Sequence, residues 1–293
     1  MDVTRSRILG GSLLVVSFVV LFHHVLPRLA QDWIHDDNYS HGFLIAPLAA
    51  YFVWERRDRL ATAIGRPSAW GLLIVLGSIA LLLAGSLGAE LFLTRISLIG
   101  VLAGGTVFLL GWRALRVLLF PLLFLLLMIP IPAIIFNQVA FPLQILASRV
   151  GETTLSALGI PVLREGNIIV LANTTLEVAE ACSGIRSLIS LLTLGLVYGY
   201  FLDPRLGVRI ALALATIPIA IAANAARISG TGIAAHHFGS EAAEGFFHTF
   251  SGWLVFVLSF ALLFAVARML LWLAPAPPAP AAARLSQVQE VTP

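Results

Sequence analysis

Three residues of this chain have the types that acyl transfer needs, a thiol, a guanidinium and an imidazole: Cys182, Arg227 and His248. Cys182 is the single cysteine, so it cannot close an intrachain disulfide and is either a small buried apolar group or a nucleophile. Its neighbours favour the nucleophile. Ser183 and Gly184 lead into an apolar run from Ile185 to Leu202, which places the thiol at or just before a helix N-terminus, where unpaired amides favour a thiolate. In attack on a peptide carbonyl, His248 could take the thiol proton and return it to the leaving amine. Arg227 keeps its charge and carries a fork of donors, so it could hold the tetrahedral oxyanion or fix the substrate backbone. Asn224, one helical turn before Arg227, is placed to orient it.

The elements that must position these groups are membrane helices. The 293 residues are 59% hydrophobic and 11% charged, and the mean hydropathy is +0.96. That excludes a soluble chain and makes the bilayer a partner. All 18 basic residues are Arg. They are scattered between apolar blocks and form no stripe, so the basic balance points to membrane orientation and not to nucleic acid. Stretches of about 20 apolar residues suit a span, and eight candidates lie at 8–27, 41–55, 69–89, 96–112, 115–135, 184–202, 208–228 and 249–273. The second is short, and Pro121, Pro130 and Pro132 break the fifth.

Arginine falls in alternate loops: Arg5 and Arg7; Arg56, Arg57, Arg59 and Arg66; Arg113 and Arg116; Arg205 and Arg209. The positive-inside rule assigns these loops to the cytoplasm, with both termini, and the loops holding Asp32, Glu90, residues 136–183 and residues 229–248 to the outer face. Cys182 then opens the sixth span, Arg227 closes the seventh and His248 opens the eighth, all on one side of the membrane. Residues 133–158 have the apolar spacing of an interfacial helix, and 167–171 with 176–179 flank a turn as an outer β-hairpin that delivers Cys182 to the membrane surface. Helix and hairpin together are candidates for a groove that receives substrate. The whole reads as an all-α integral membrane domain over 1–274, with about eight spans, followed by a disordered Pro/Ala-rich cytoplasmic tail at 275–293.

Other readings stay open at this stage. Glu177, Glu180 and Arg186 suit a local ion network as well as a supporting role at the thiol. His236, His237, Glu241, Glu244 and His248, with His35 and His41, suggest a metal-dependent hydrolase, although no tight ligand signature is present. A transporter or export assembly factor would use Arg227 and the acidic residues to line a path. Tyr39, Ser40 and His41 form either a loop that closes over a site or an aromatic anchor at the interface.

The residues Arg164 to Val170, Leu176 to Ser187 around Cys182, Asn224 to Arg227 and His248 to Gly252, in that order, resemble the exosortase family; Asn38 to Ile45 resembles its first outer loop. The resemblance implies a multi-span transpeptidase of the bacterial inner membrane with its active site facing the periplasm. It implies substrates that are membrane-anchored exported proteins bearing a C-terminal sorting signal, made of a Pro-Glu-Pro-type motif, a transmembrane helix and a basic cluster. It implies cleavage through a thioester on Cys182, with Arg227 and His248 as the other catalytic positions. Their neighbours Glu180, Ser183, Gly184, Arg186 and Asn224 are the candidates for a supporting role. No cofactor and no metal is expected.

Overall fold

The computed structural model describes residues 3–172, 174–178, 185–239 and 246–274, and its chain divides into two compact units, Met1–Phe141 and Pro142–Pro293. In the first unit, α1 (Val3–Leu21) and α2 (Val25–His35) meet at a 66° bend, where one straight span over 8–27 was expected. They are followed by α3 (Gly42–Glu55), α4 (Arg57–Ala63), α5 (Ala69–Leu87), α6 (Leu91–Leu110) and α7 (Trp112–Phe124). The closest pair is α5 with α6. A Cβ on Gly104 would come within 2.9 Å of Val75, and one on Gly71 would overlap the Phe108 backbone, so the glycines let two apolar helices touch where lipid gives no hydrophobic drive to associate.

The expected fifth span over 115–135 is a shorter object. Helix α7 tightens into one 3-10 turn at Leu125–Met128, and Pro130 and Pro132 prevent its continuation. The backbone groups left without helical partners are taken by side chains of α2 and of the loop that follows it. Trp33 Nε1 donates to the Met128 carbonyl at 2.9 Å, His41 Nε2 meets the Leu127 carbonyl at 3.1 Å, and the Ile131 N–H donates to the Tyr39 hydroxyl at 2.9 Å. Buried backbone polar groups must find partners, and here three aromatic side chains supply them.

The second unit holds α8 (Ala133–Ala157, begun in the first), a sheet of β1 (Val162–Glu165), β2 (Ile168–Leu171) and β3 (Thr175–Glu177), and then α9 (Ile185–Leu202), α10 (Leu206–Phe238) and α11 (Phe246–Leu273). The expected hairpin is β2 with β3, paired Ile169 to Leu176, and β1 adds a third antiparallel strand paired Arg164 to Ile169. Gly166, at φ 65°, turns β1 into β2. The sheet sits on α8 and α10 through Leu155, Ile169, Leu171, Val178 and Ile228, and Ser148 and Glu152 of α8 bond Gly166 and Arg164.

Among the described residues six helices are long and apolar enough to cross a bilayer, or seven if α1 and α2 make one span, close to the eight expected; α8 is among them, and α3, at 14 residues, is not. The chain is an all-α membrane protein with a small sheet.

The turn from α9 to α10 is stapled by the arginines that signalled orientation. Arg205 donates to both Asp203 oxygens at 3.0 and 2.8 Å, and Arg209 donates to the carbonyls of Asp203 and Tyr200 at 2.6 and 2.9 Å. The Arg205 guanidinium holds the Asp203 carboxyl below the usual carboxylate range. A carboxylate with a depressed folded pKa stabilises the fold above its unfolded pKa of about 3.9, and that contribution is lost as pH falls through the folded value. Asp203→Asn therefore lowers the thermal midpoint of the purified protein at pH 7, and the gap from the parent closes as pH falls through the depressed carboxyl's own range. A gap that persists in acid would show that the ion pair is not its source.

Candidate active site

The three C-terminal helices set the site by their register. A Cβ on Gly195 of α9 would come 2.7 Å from Thr216 of α10 and 3.7 Å from Leu263 of α11, so these three positions share one level. Around it Leu191, Leu212, Ile219 and Leu263 form a shared core. Neighbouring helices here run antiparallel, at about 1.5 Å per residue. Ten residues back from Gly195 is Ile185, eleven on from Thr216 is Arg227, and eleven back from Leu263 is Gly252, so about 16 Å further along these three positions meet at a second level.

Side-chain geometry agrees at that second level. A Cβ on Gly252 would lie 3.4 Å from Arg227 Nη2, 3.5 Å from Cζ and 3.8 Å from Nη1, so the guanidinium packs flat against the α11 backbone. His248 precedes Gly252 by four residues within α11, about one helical turn along the chain. Asn224, one turn before Arg227, is 4% exposed. Ile185, which opens α9, is buried three residues after Cys182. Glu180, Cys182, Ser183 and Gly184 lie outside the described residues, as does the His248 side chain; Arg186 lies in the first turn of α9.

Arg227 was expected to close its span. It lies instead in the interior of α10, which continues to Phe238, because Ile228, Gly232 and Ala235 recur at helical spacing and pack on the neighbouring core, with Gly232 against Leu155.

Two contributors entered the sequence reading only as parts of longer motifs, with no role assigned. Gly252 is one, a glycine four residues after a candidate base. Asn167 is the other. Its carbonyl accepts from the Val178 N–H at 2.9 Å and its Nδ2 donates to the Val178 carbonyl at 3.2 Å, so it clamps the chain four residues before Cys182.

Beside Arg227 an open apolar groove of about 750 Å³ runs between α8 and α10, lined by Leu146, Val150, Ala222, Ala226, Gly230 and Ile233. Ala222, Ala226 and Gly230, spaced by four, give it a floor of small residues.

A family model described as transmembrane exosortase (Exosortase_EpsH) matches residues 33–265, most of the chain. The chain belongs to the exosortase family. No match was found among curated proteins or among solved structures. Membership makes it a multi-span membrane protein of a family of cysteine-dependent transpeptidases.

The first-loop motif and the candidate metal ligands have their own local settings. In the first unit, Tyr39 and His41 are held on the Leu127 to Ile131 backbone, and Ser40 Oγ donates to the Asp37 carbonyl at 3.2 Å. That arrangement gives the first-loop motif a structural task of its own. His236 and His237 have ring centroids 5.0 Å apart near the end of α10, while Glu241 and Glu244 lie outside the described residues.

Proposed function

We propose that the chain cleaves the Pro-Glu-Pro-type C-terminal sorting signal of exported proteins still anchored in the bacterial inner membrane, on the periplasmic face, and passes them to an acceptor. The observation that carries this reading is the packing of the Arg227 guanidinium on Gly252 at the level where α9 begins. Three residues separate Ile185 from Cys182, a covalent reach of no more than about 11 Å.

The Cys182 thiol gives its proton to His248, and the thiolate attacks the scissile carbonyl carbon. Arg227, oriented by Asn224, holds the resulting oxyanion. The C–N bond then breaks, the amine leaves with the proton from His248, and a thioester remains on Cys182. An acceptor nucleophile, giving its proton to His248, attacks that thioester and releases the thiolate. Glu180 and Arg186 balance charge on either side of the thiol, and the amides of Ser183 and Gly184 favour its anionic form. The groove between α8 and α10 receives the apolar helix of the signal, because Ala222, Ala226 and Gly230 allow a helix backbone to approach closely.

The test is an acid quench of the full-length protein during turnover of a tethered substrate, followed by mass spectrometry. A hydroxylamine-labile substrate adduct on the peptide containing Cys182, absent in Cys182→Ala, is the expected result. Undiminished processing by Cys182→Ala would overturn the reading, and sensitivity of that processing to chelators would favour a metal-dependent hydrolase.

A further inference from the structure

The first unit contains a cavity that the peptidase reading does not use. It encloses about 280 Å³ where α5 turns into α6, beside the start of α2, and its lining includes His24, Arg28, Ser86, Thr94 and Arg95. Arg95 is 4% exposed, deep for a charge in the first turns of an apolar span. Asp32 bonds one of its Nη atoms and, among the described residues, is the only group bonded to this side chain, so the rest of its five donors remain for the cavity. Arg28, on the same wall, is exposed and has no carboxylate partner among the described residues. Glu90, the other nearby carboxylate, caps α6 by accepting from the Leu93 N–H at 2.8 Å and also attracts the Arg95 charge without bonding it.

Charged residues at the end of a span are costly unless matched by charge or water; Asp32 offsets the Arg95 charge, while Arg28 brings a second guanidinium to the same cavity with no carboxylate of its own among the described residues. The helix adds to that demand, since the N-terminus of α6 is its positive end. The Ser86 hydroxyl, whose residue is exposed on the cavity wall, is a further donor. Next to the cavity the surface is aliphatic: Leu87 is 89% exposed and Leu83 57%. Guanidinium forks match the oxygens of a phosphate bidentately. From this geometry we infer that the cavity lined by Arg28, Arg95 and Ser86 is a binding site for a phosphate group, either the headgroup of a membrane phospholipid or a soluble phosphate. The site is independent of the Cys182 chemistry.

The full-length protein is purified in detergent and incubated with phosphatidylglycerol vesicles, with phosphate-free glucosyl-diacylglycerol vesicles, or with inorganic phosphate alone. Bound lipid is read by native mass spectrometry and phosphate binding by the thermal midpoint. One phosphatidylglycerol per chain, held about tenfold more weakly by Arg28→Gln, supports the site and names its source as lipid. A midpoint raised by inorganic phosphate in the parent but not in Arg28→Gln supports the site with a soluble source. Arg28 is exposed and bonded to nothing described, so its variant folds where Arg95→Gln risks the Asp32 pair. Equal binding by parent and Arg28→Gln, equal retention of the glycolipid, or binding of neither phosphate source overturns the inference.

Discussion

Arg227→Ala is expected to process substrate about 10²- to 10³-fold more slowly than the parent, the usual cost of removing one oxyanion donor. The loss falls in kcat and kcat/KM alike, because the interaction is made only as charge develops on the carbonyl oxygen. Arg227→Lys recovers only part of it, since a point charge cannot reproduce the planar fork that lies along Gly252. A second readout separates this role from mere support of the fold. If the guanidinium also favours the thiolate, alkylation of Cys182 at neutral pH is slower in Arg227→Ala while the thermal midpoint stays near the parent value. Near-parental turnover in a folded Arg227→Ala protein would remove Arg227 from the mechanism.

Gly252→Leu should be nearly as damaging as Arg227→Ala, whereas Gly252→Ala stays within a few-fold of the parent. The distinction is steric. A Cβ at this position stands 3.4 to 3.8 Å from the guanidinium atoms, ordinary contact distance, so alanine fits. The branched end of leucine has to take space that the guanidinium occupies, and a displacement of about 1 Å in a catalytic group can cost 10²-fold. The double variant Arg227→Ala with Gly252→Leu is then no worse than Arg227→Ala alone, because the second change acts through the first. Additive losses would show that Gly252 serves some other purpose, and an active Gly252→Leu would show that Arg227 does not need this seat.

Much of this arrangement is legible in the residues, and the parts that are not have physical reasons. The apolar runs that became α5, α6 and α9 stand out because lipid demands unbroken hydropathy. The continuation of α10 past Arg227 does not, because Ser229, Gly230, Thr231, Gly232, His236 and His237 erase the hydropathy signal while Ile228, Gly232 and Ala235 keep the helical packing period. The split of the fifth span was half visible: the prolines marked a break, but only coordinates show that Tyr39 and His41 satisfy the backbone it exposes. Strand β1 was missed although Gly166 and Asn167 form a two-residue turn between two β-branched and aliphatic runs, a recognised hairpin signal. For the candidate site, the residue types and their order along the chain were readable. The register that sets Ile185, Arg227 and Gly252 at one height depends on the close approach at Gly195, which no one-dimensional pattern encodes.

The length of α10 has a consequence for substrate choice. From its first residue, beside the Asp203 and Arg205 staple, to Arg227 is 21 residues, about 32 Å along a helix and close to the thickness of the hydrocarbon layer. The helix thus sets a fixed length between the arginine cluster at one end and the Arg227 guanidinium. If the chain cleaves tethered proteins as proposed, the bond within reach of Arg227 is the one lying one bilayer thickness from the start of this helix, so lengthening a substrate's anchor by a single turn would move that bond away without altering any of the amino acids around it.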